Sequence, residues 1–440
     1  MNYKPVIGLE VHIELKTKSK MFCSCSADYF GKKPNSHTCP VCLGLPGALP
    51  VPNKTAIEWC LRIGSALNCS LLEFSKFDRK NYFYPDLAKG YQISQYDKPF
   101  CKNGEIEINN KKIGITRVHM EEDTGKLIHA SIRGEKMSLI DFNRSGVPLV
   151  EIVTEPEFEN ANEVTTYLKK LQQIVRYLNV SNADMDKGDM RLEPNISLIK
   201  NGEKSLPKYK VEVKNINSFK FVKKAIEYET KRQLEILKKG EIPVQETRGW
   251  DENKQKTTSQ RVKEEANDYR YFPEPDIPPL RFEKDYLNKI KNTLLEFADQ
   301  KTERFIKEYS ISKYDAEILT REKITADFFE ETVKLSKKHD ISGKKIANEI
   351  INKKINILEI LPAKLIQTIL NSNKKTVIDE IELITSINKV LKENSKAVAD
   401  YKSGKIQVIG FLIGSIIKDI GKPIDTYIIK EILEKELKNG

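Results

Sequence analysis

The chain has 440 residues, room for two to four domains that each bury a core at roughly 150 residues apiece. Charged residues make up 31% and hydrophobic ones 39%, a balance that excludes wholesale disorder. The formal net charge of +11 favours an anionic partner such as nucleic acid, and the longest apolar stretch, 406–417, is too short for a membrane span of roughly 20 residues.

The N-terminus carries no apolar core of signal-peptide length. The expected location is therefore the cytoplasm, with the seven cysteines reduced. Residues 6–15 alternate. Ile7, Leu9, Val11, Ile13 and Leu15 face one way, and Gly8, Glu10, His12 and Glu14 the other, as in a strand with one buried face. Ionisable groups on one sheet face are costly to bury without a use, and Glu and His at i and i+2 can share one cation. A solvated sheet face accommodates the same residues, so this strand alone does not decide.

Cys23-Ser-Cys25 is followed after 13 residues by Cys39-Pro-Val-Cys42. Two close pairs across a short loop fit a tetrahedral four-thiolate zinc site with no open position, hence a structural metal, with His37 as a substitute ligand. Cys60, Cys69 and Cys101 lack such spacing, and Cys60 and Cys69, in or near a helix, read as core residues. Apolar spacing predicts helices over 56–67, over 163–177 with Asn162 as its cap, and over 221–238.

Charge is carried by the segments between these helices. Phe77-Asp-Arg-Lys-Asn-Tyr-Phe-Tyr-Pro-Asp86 sets Arg79 and Lys80 among aromatic residues. In 115–123, Arg117, His119, Glu121 and Asp123 share one strand face, and Val118 and Met120 the other. Leu149-Val-Glu-Ile-Val-Thr-Glu155 places Glu151 between apolar neighbours, and 211–219 adds Lys214. Three acid-bearing strands can converge on one hard cation such as Mg²⁺, which takes oxygen ligands and keeps waters for phosphates. Arg79, Lys80 and Lys214 are the kind of cation that neutralises charge in phosphoryl transfer, although each also serves as an ordinary surface charge. No Gly-x-x-x-x-Gly-Lys-Ser/Thr loop occurs, so ATP binding here would not use a P-loop.

Proline marks a boundary. Residues 1–280 hold 17 of the 19 prolines, and the Pro-rich stretch 271–280 reads as the exit from the first domain. Beyond it, apolar spacing predicts helices over 346–358 and 424–437. The expected fold is an α+β domain with an antiparallel sheet over 1–290, a helical domain over 291–380 and a helical tail over 381–440.

Several stretches, taken together, resemble the B subunit of the bacterial and organellar aspartyl/glutamyl-tRNA amidotransferases. They are Val6-Ile-Gly-Leu-Glu-Val-His-Ile-Glu-Leu15, Lys76-Phe-Asp-Arg-Lys-Asn-Tyr-Phe-Tyr-Pro-Asp86, Tyr91-Gln-Ile-Ser-Gln95, His119-Met-Glu-Glu-Asp123, Asp268-Tyr-Arg-Tyr-Phe-Pro-Glu-Pro-Asp276 and Gly410-Phe-Leu-Ile-Gly414. The resemblance implies a cradle domain similar to glutamine synthetase, followed by helical domains that grip tRNA. It implies a ligase that uses ATP and Mg²⁺ to phosphorylate the side-chain carboxylate of Glu-tRNA(Gln) or Asp-tRNA(Asn). The amidase partner, the family's A subunit, supplies ammonia from glutamine, and the small C subunit completes a heterotrimer. Carried onto this chain, Glu10, His12, Glu122 and Glu151 are the expected Mg²⁺ ligands, with Glu121 a competitor for Glu122 because alternation puts Glu121 on the polar face. Lys80 and Lys214 are the expected catalytic cations, and Arg79, Tyr82, Tyr84 and Glu121 the expected nucleotide contacts. Cys23, Cys25, Cys39 and Cys42 are the expected structural Zn²⁺ ligands. The stretch between Leu370 and Leu383 is shorter than the family pattern, which leaves the geometry of the tRNA grip open there. The competing reading is a non-catalytic zinc-containing protein that binds RNA or serves assembly, which leaves the strand acids without a purpose.

Overall fold

The computed structural model describes residues 3–203, 205–262, 269–353, 355–373, 380–421 and 426–439. Asp268 and part of the short stretch between Leu370 and Leu383 lie outside the described residues. The chain divides into two compact units, Met1–Glu308 with Ser312–Ile324, and Tyr309–Ile311 with Thr325–Gly440.

A nine-stranded sheet organises the first unit. Its strands are β1 (Tyr3–Glu14), β2 (Ser70–Leu71), β3 (Cys101–Ile108), β4 (Lys111–Glu122), β5 (Pro148–Thr154), β6 (Met190–Lys200), β7 (Val211–Lys214), β8 (Glu246–Asp251) and β9 (Lys256–Val262). They lie in the order β9-β8-β7-β6-β1-β5-β4-β3-β2, so the N-terminal strand sits at the centre. Neighbours run antiparallel except β7 and β8, which are parallel; the sheet is mixed rather than purely antiparallel.

Alternation gives this sheet one apolar face. Ile7, Leu9, Val11 and Ile13 of β1 pack in one core with Val118 and Met120 of β4, Val150 and Ile152 of β5, and Val211 and Val213 of β7. Three helices supply residues to the same core: α1 (Lys54–Ala66), α2 (Ala161–Tyr177) and α3 (Phe219–Lys238). All three expected helices of this region form, with shifted starts. Asn53 caps α1 and Ser218 caps α3. The cap of α2 is Asn160, not Asn162: its side chain accepts from the amides of Asn162 and Glu163, and Glu163 reaches back to Glu159 N–H at 3.0 Å.

Above the polar face stands a small sheet in which Asp78–Asn81 pairs with Tyr91–Ser94 on one side and Phe272–Pro273 on the other. The loop-rich segment after β1 holds the four clustered cysteines, whereas Cys60 and Cys69 are buried core residues as expected, and Cys101 joins them in the core.

The second unit is helical throughout its described elements. Leu383, Ile387 and Val390 form a core with Leu412 and Ile416 and with Ile429, Leu433 and Leu437. The helix expected over 346–358 is Gly343–Asn352, capped by Ser342; the chain leaves it at Lys353 and begins the next helix at Pro362, a residue well suited to a first turn. The helix expected over 424–437 is Thr426–Asn439.

Candidate active site

The polar face of the sheet is a register of charged rows. Glu151 of β5 lies opposite His12 of β1 and His119 of β4, and His12 lies opposite Arg191 of β6. One row over, Glu10 lies opposite Glu193, and Asn195 opposite Glu212. Directly opposed residues of antiparallel strands project from the same face, so these side chains meet. They floor a cavity of about 480 Å³ whose wall is Lys80, Tyr82, Tyr269 and Tyr271.

Two clusters in this cavity can hold cations. In the first, one ligand atom each from His12, Glu121 and Glu151 lies within 4.8 Å of the others. His12 Nε2 stands 3.4 Å from Glu121 and 3.5 Å from Glu151, and His119 Nε2 stands 3.2 Å from Glu151. In the second cluster, Glu10, Glu193 and Glu212 approach within the same limit. Asn195 Nδ2 donates to Glu10 at 2.9 Å, and Lys214 Nζ donates to Glu193 at 2.9 Å.

The electrostatics call for positive charge. Burial, reinforced by Glu151, Glu193 and Glu212, raises the pKa of Glu10. Burial opposes a charge on His12, yet its hydrogen bond to Glu151 and the charges of Glu151 and Glu121 win and raise its pKa to about 9. Bare of metal, His12 therefore carries a proton at neutral pH, and a bound cation has to displace it. Three buried polar atoms on this face, Arg117 Nε, His119 Nδ1 and Asn195 Oδ1, find no hydrogen-bond partner among the described residues. Buried orphan atoms beside clustered acids fit a cavity completed by a ligand.

Lys80 faces Glu121 and Glu151 across the cavity. Burial disfavours its charge, but those two carboxylates outweigh burial and raise its pKa, with Nζ 5.0 Å from the Tyr269 ring centroid. Lys214, similarly held charged by Glu193 and Glu212 against burial, stands on the opposite side of the floor. Arg191 is committed elsewhere: it binds Glu14 at 2.6 Å and clamps Asp123 through both guanidinium nitrogens.

Of the expected site residues, Glu10, His12, Glu121, Glu151, Lys80, Lys214 and Tyr82 line one cavity. Glu122, Arg79 and Tyr84 do not. Glu122 points to the opposite face of β4, where it pairs with Lys89 and accepts from Ile93 N–H at 3.0 Å; the acid that joins His12 and Glu151 is Glu121. Arg79 alternates away from Lys80. Its guanidinium forms a bidentate pair with Glu274 at 2.7 and 2.8 Å, reaches Asp276 at 3.2 Å and lies over Tyr91. That pairing ties the 269–276 segment to the Lys80 strand. Tyr84 lies beyond the end of that strand, largely exposed. Glu193, Glu212, Asn195 and Arg191 are additions. For Arg191, Glu193 and Asn195 the signal was the alternation Arg191-Leu-Glu-Pro-Asn-Ile-Ser, a fourth strand with a polar face that Pro194 obscures, and for Glu212 it was its place two residues before Lys214 in Val211-Glu-Val-Lys214.

The cysteine lobe is a separate centre. One Sγ each from Cys23, Cys25, Cys39 and Cys42 falls within 4.8 Å of the others, and Cys39 and Cys42 are 3.8 Å apart. A tetrahedral site with bonds of ~2.3 Å has edges of ~3.8 Å, so this donor set fits a four-coordinate metal. The Cys42 thiol is pulled down to about 4, first by its hydrogen bond from Cys23, against burial, and with help from the Cys39 amide and Lys20. Lys20 is fully buried, its Nζ 2.7 Å from His37 O and 3.6 Å from Cys42 Sγ.

A mixed sheet whose polar face floors a carboxylate-rich cavity with the donor groups to hold cations, with helical regions following, suits a catalytic rather than a scaffolding protein. One family model, described as the GatB/GatE catalytic domain, matches residues 5–288, and another, described as the GatB domain, matches 290–437. The chain is 44% identical to the B subunit of the aspartyl/glutamyl-tRNA(Asn/Gln) amidotransferase of Carboxydothermus hydrogenoformans, over 99% of both chains. It is 45% identical to the protein of that name from Dehalococcoides mccartyi, over 100% of this chain and 99% of the relative, and 46% identical to that of Thermosipho melanesiensis, over 99% and 100%. The chain belongs to the B-subunit family of the aspartyl/glutamyl-tRNA(Asn/Gln) amidotransferases. Membership over the full length favours the ligase reading over a non-catalytic zinc protein.

Proposed function

We propose that this chain phosphorylates the side-chain carboxylate of Glu-tRNA(Gln) or Asp-tRNA(Asn) with ATP, so that glutamine-derived ammonia displaces phosphate and forms Gln-tRNA(Gln) or Asn-tRNA(Asn). The observation that carries this reading is the meeting of two acid clusters with Lys80 and Lys214 in one cavity. A carboxylate is a poor electrophile because its delocalised charge repels nucleophiles, and phosphorylation gives it a leaving group. Transfer requires positive charge around the phosphoryl oxygens. His12, Glu121 and Glu151 would hold one divalent ion such as Mg²⁺, and Glu10, Glu193 and Glu212 a second, and ions so held would supply part of that charge. Lys80 and Lys214 stabilise the charge that develops between them. The tyrosine wall keeps water from an acyl phosphate that water would hydrolyse.

Around this centre, the sheet cradle is similar to that of glutamine synthetase, and Zn²⁺ in the cysteine lobe is structural. The working form is a cytoplasmic heterotrimer with the amidase (the A subunit) and the small C subunit. Residues 1–290 do the chemistry, while 291–380 and the tail 381–440 grip tRNA, in keeping with the net charge of +11.

The test is ADP release by the purified complex with misacylated tRNA, ATP and Mg²⁺ but no glutamine. The expected result is release that depends on misacylated tRNA and is lost in Glu10→Ala. Release by Glu10→Ala at the native rate removes the site assignment; no release by the native complex removes the kinase reading.

A further inference from the structure

The segment 269–276 stands out in the sequence, and the reaction derived above gives its tyrosines no role beyond excluding water. The Arg79 pairing to Glu274 and Asp276 holds it against the Lys80 strand, and this sets Tyr269 and Tyr271 into the cavity wall. Tyr96 stacks face to face on Tyr271, with ring centroids 4.4 Å apart and planes at 13°. Tyr269 meets Tyr271 edge-on at 6.0 Å and Tyr82 edge-on at 6.1 Å. The outer end of this array is open: Tyr96 is 56% exposed.

The cavity is therefore two-sided. Its floor is charged and takes anions and cations. Its one wall of tyrosines offers flat π-faces, with Lys80 over Tyr269 at the inner end. Wholly structural tyrosines would close their stack against apolar core; these stand at a polar cavity and continue outward to an exposed ring. A ligand that matches both sides is charged at one end and planar, neutral and aromatic at the other, which is the chemistry of a nucleotide. We infer that Tyr271, backed by Tyr96, forms a stacking subsite for a nucleobase, either the base of ATP or the terminal base of the tRNA 3′ end. This rests on the function proposed above and names the part of that site which holds the base.

The test uses the complete complex and reads ADP release while ATP and misacylated tRNA are varied separately. Tyr271→Ala is expected to raise the KM for one of them by roughly 5- to 100-fold, the range for losing one base stack, with kcat within about twofold. Tyr271→Phe, which keeps the π-face, is expected to restore the native KM. Tyr96→Ala, at an exposed position, is expected to raise the same KM by a smaller factor and guards against a folding defect. A change in the ATP constant assigns the subsite to the nucleotide, and a change in the tRNA constant assigns it to the RNA end. The inference is overturned if neither KM moves, or if Tyr271→Phe is as impaired as Tyr271→Ala, since the hydroxyl and not the ring face would then matter. A native complex that releases no ADP refutes the kinase reading instead, so the two failures are distinguishable.

Discussion

Glu121 and Glu122 are neighbours with opposite fates, and exchanging each for glutamine separates them. Glu122 pairs with Lys89 in a buried setting, the side chains 4% and 9% exposed. Glutamine keeps an acceptor for the Ile93 amide but leaves the ammonium unpaired. Removing one partner of a buried pair costs about 3–5 kcal/mol. At ~2.1 cal/mol/K per residue over roughly 300 residues, that lowers Tm by about 5–8 °C. Glu121 makes only long contacts, 3.4 Å to His12 and 3.4 Å to Ser94. It also stands among like charges, so Glu121→Gln is expected to leave Tm within about 2 °C or to raise it. Its cost falls on cation binding. A carboxylate removed from beside a divalent ion in a partly screened cavity loses ~3 kcal/mol, on the order of 100-fold in the Mg²⁺ concentration for half-maximal ADP release. Differential scanning calorimetry and an Mg²⁺ titration of ADP release check both halves. The face assignment is refuted if Glu122→Gln shifts the Mg²⁺ requirement at unchanged Tm while Glu121→Gln melts early.

Other outcomes follow from the same geometry. Lys80→Met is expected to lower kcat for ADP release by roughly 100-fold or more at saturating ATP, the scale for losing one preorganised charge; an effect confined to KM contradicts that role. Cys39→Ser is expected to lose zinc and several degrees of Tm before it loses ADP release, read by elemental analysis and melting. Lys20→Met removes the buried ammonium beside Cys42 Sγ and is expected to retain less zinc during dialysis against a chelator; undiminished retention shows that the thiolates need no internal counter-charge. Glu229 is fully buried, accepts from Arg232, Gln233 and Thr257 and pairs with Arg248 at 3.0 Å, so Glu229→Ala leaves both guanidiniums to share Glu246, at a cost of about 3–5 kcal/mol in a denaturant melt, and a loss below about 1 kcal/mol counts against that network.

What could be read in the sequence was what depends on local alternation. The polar faces of β1 and β4 follow from period-two patterns of five or more residues, so Glu10, His12, His119 and Glu121 fall on their face from the residues alone. The same rule, applied strictly, picks Glu121 over Glu122 and keeps Arg79 off the face of Lys80. The cap of α2 was legible too, since Asn160 and Glu163 have capping-box spacing and Asn162 does not. What no local pattern carries is which strands are neighbours. Glu193 and Glu212 join the site because β6 pairs with β1 and β7 pairs with β6, a fact of sheet order set by packing across more than 180 residues of chain. Proline at 194 also breaks the visual alternation without breaking the strand, because it lies opposite Leu9 in the register and its ring needs no donor there. Buried acids tolerate this density only where cations answer them, so the arrangement constrains its own chemistry. Glu10, Glu193 and Glu212 share Lys214, while Glu121 and Glu151 share Lys80 and two imidazoles. The Glu10 cluster is held short of neutrality by the chain itself, whereas the Glu121–Glu151 cluster is balanced only while His12 keeps its proton, and a divalent ion that displaces that proton would take over its charge.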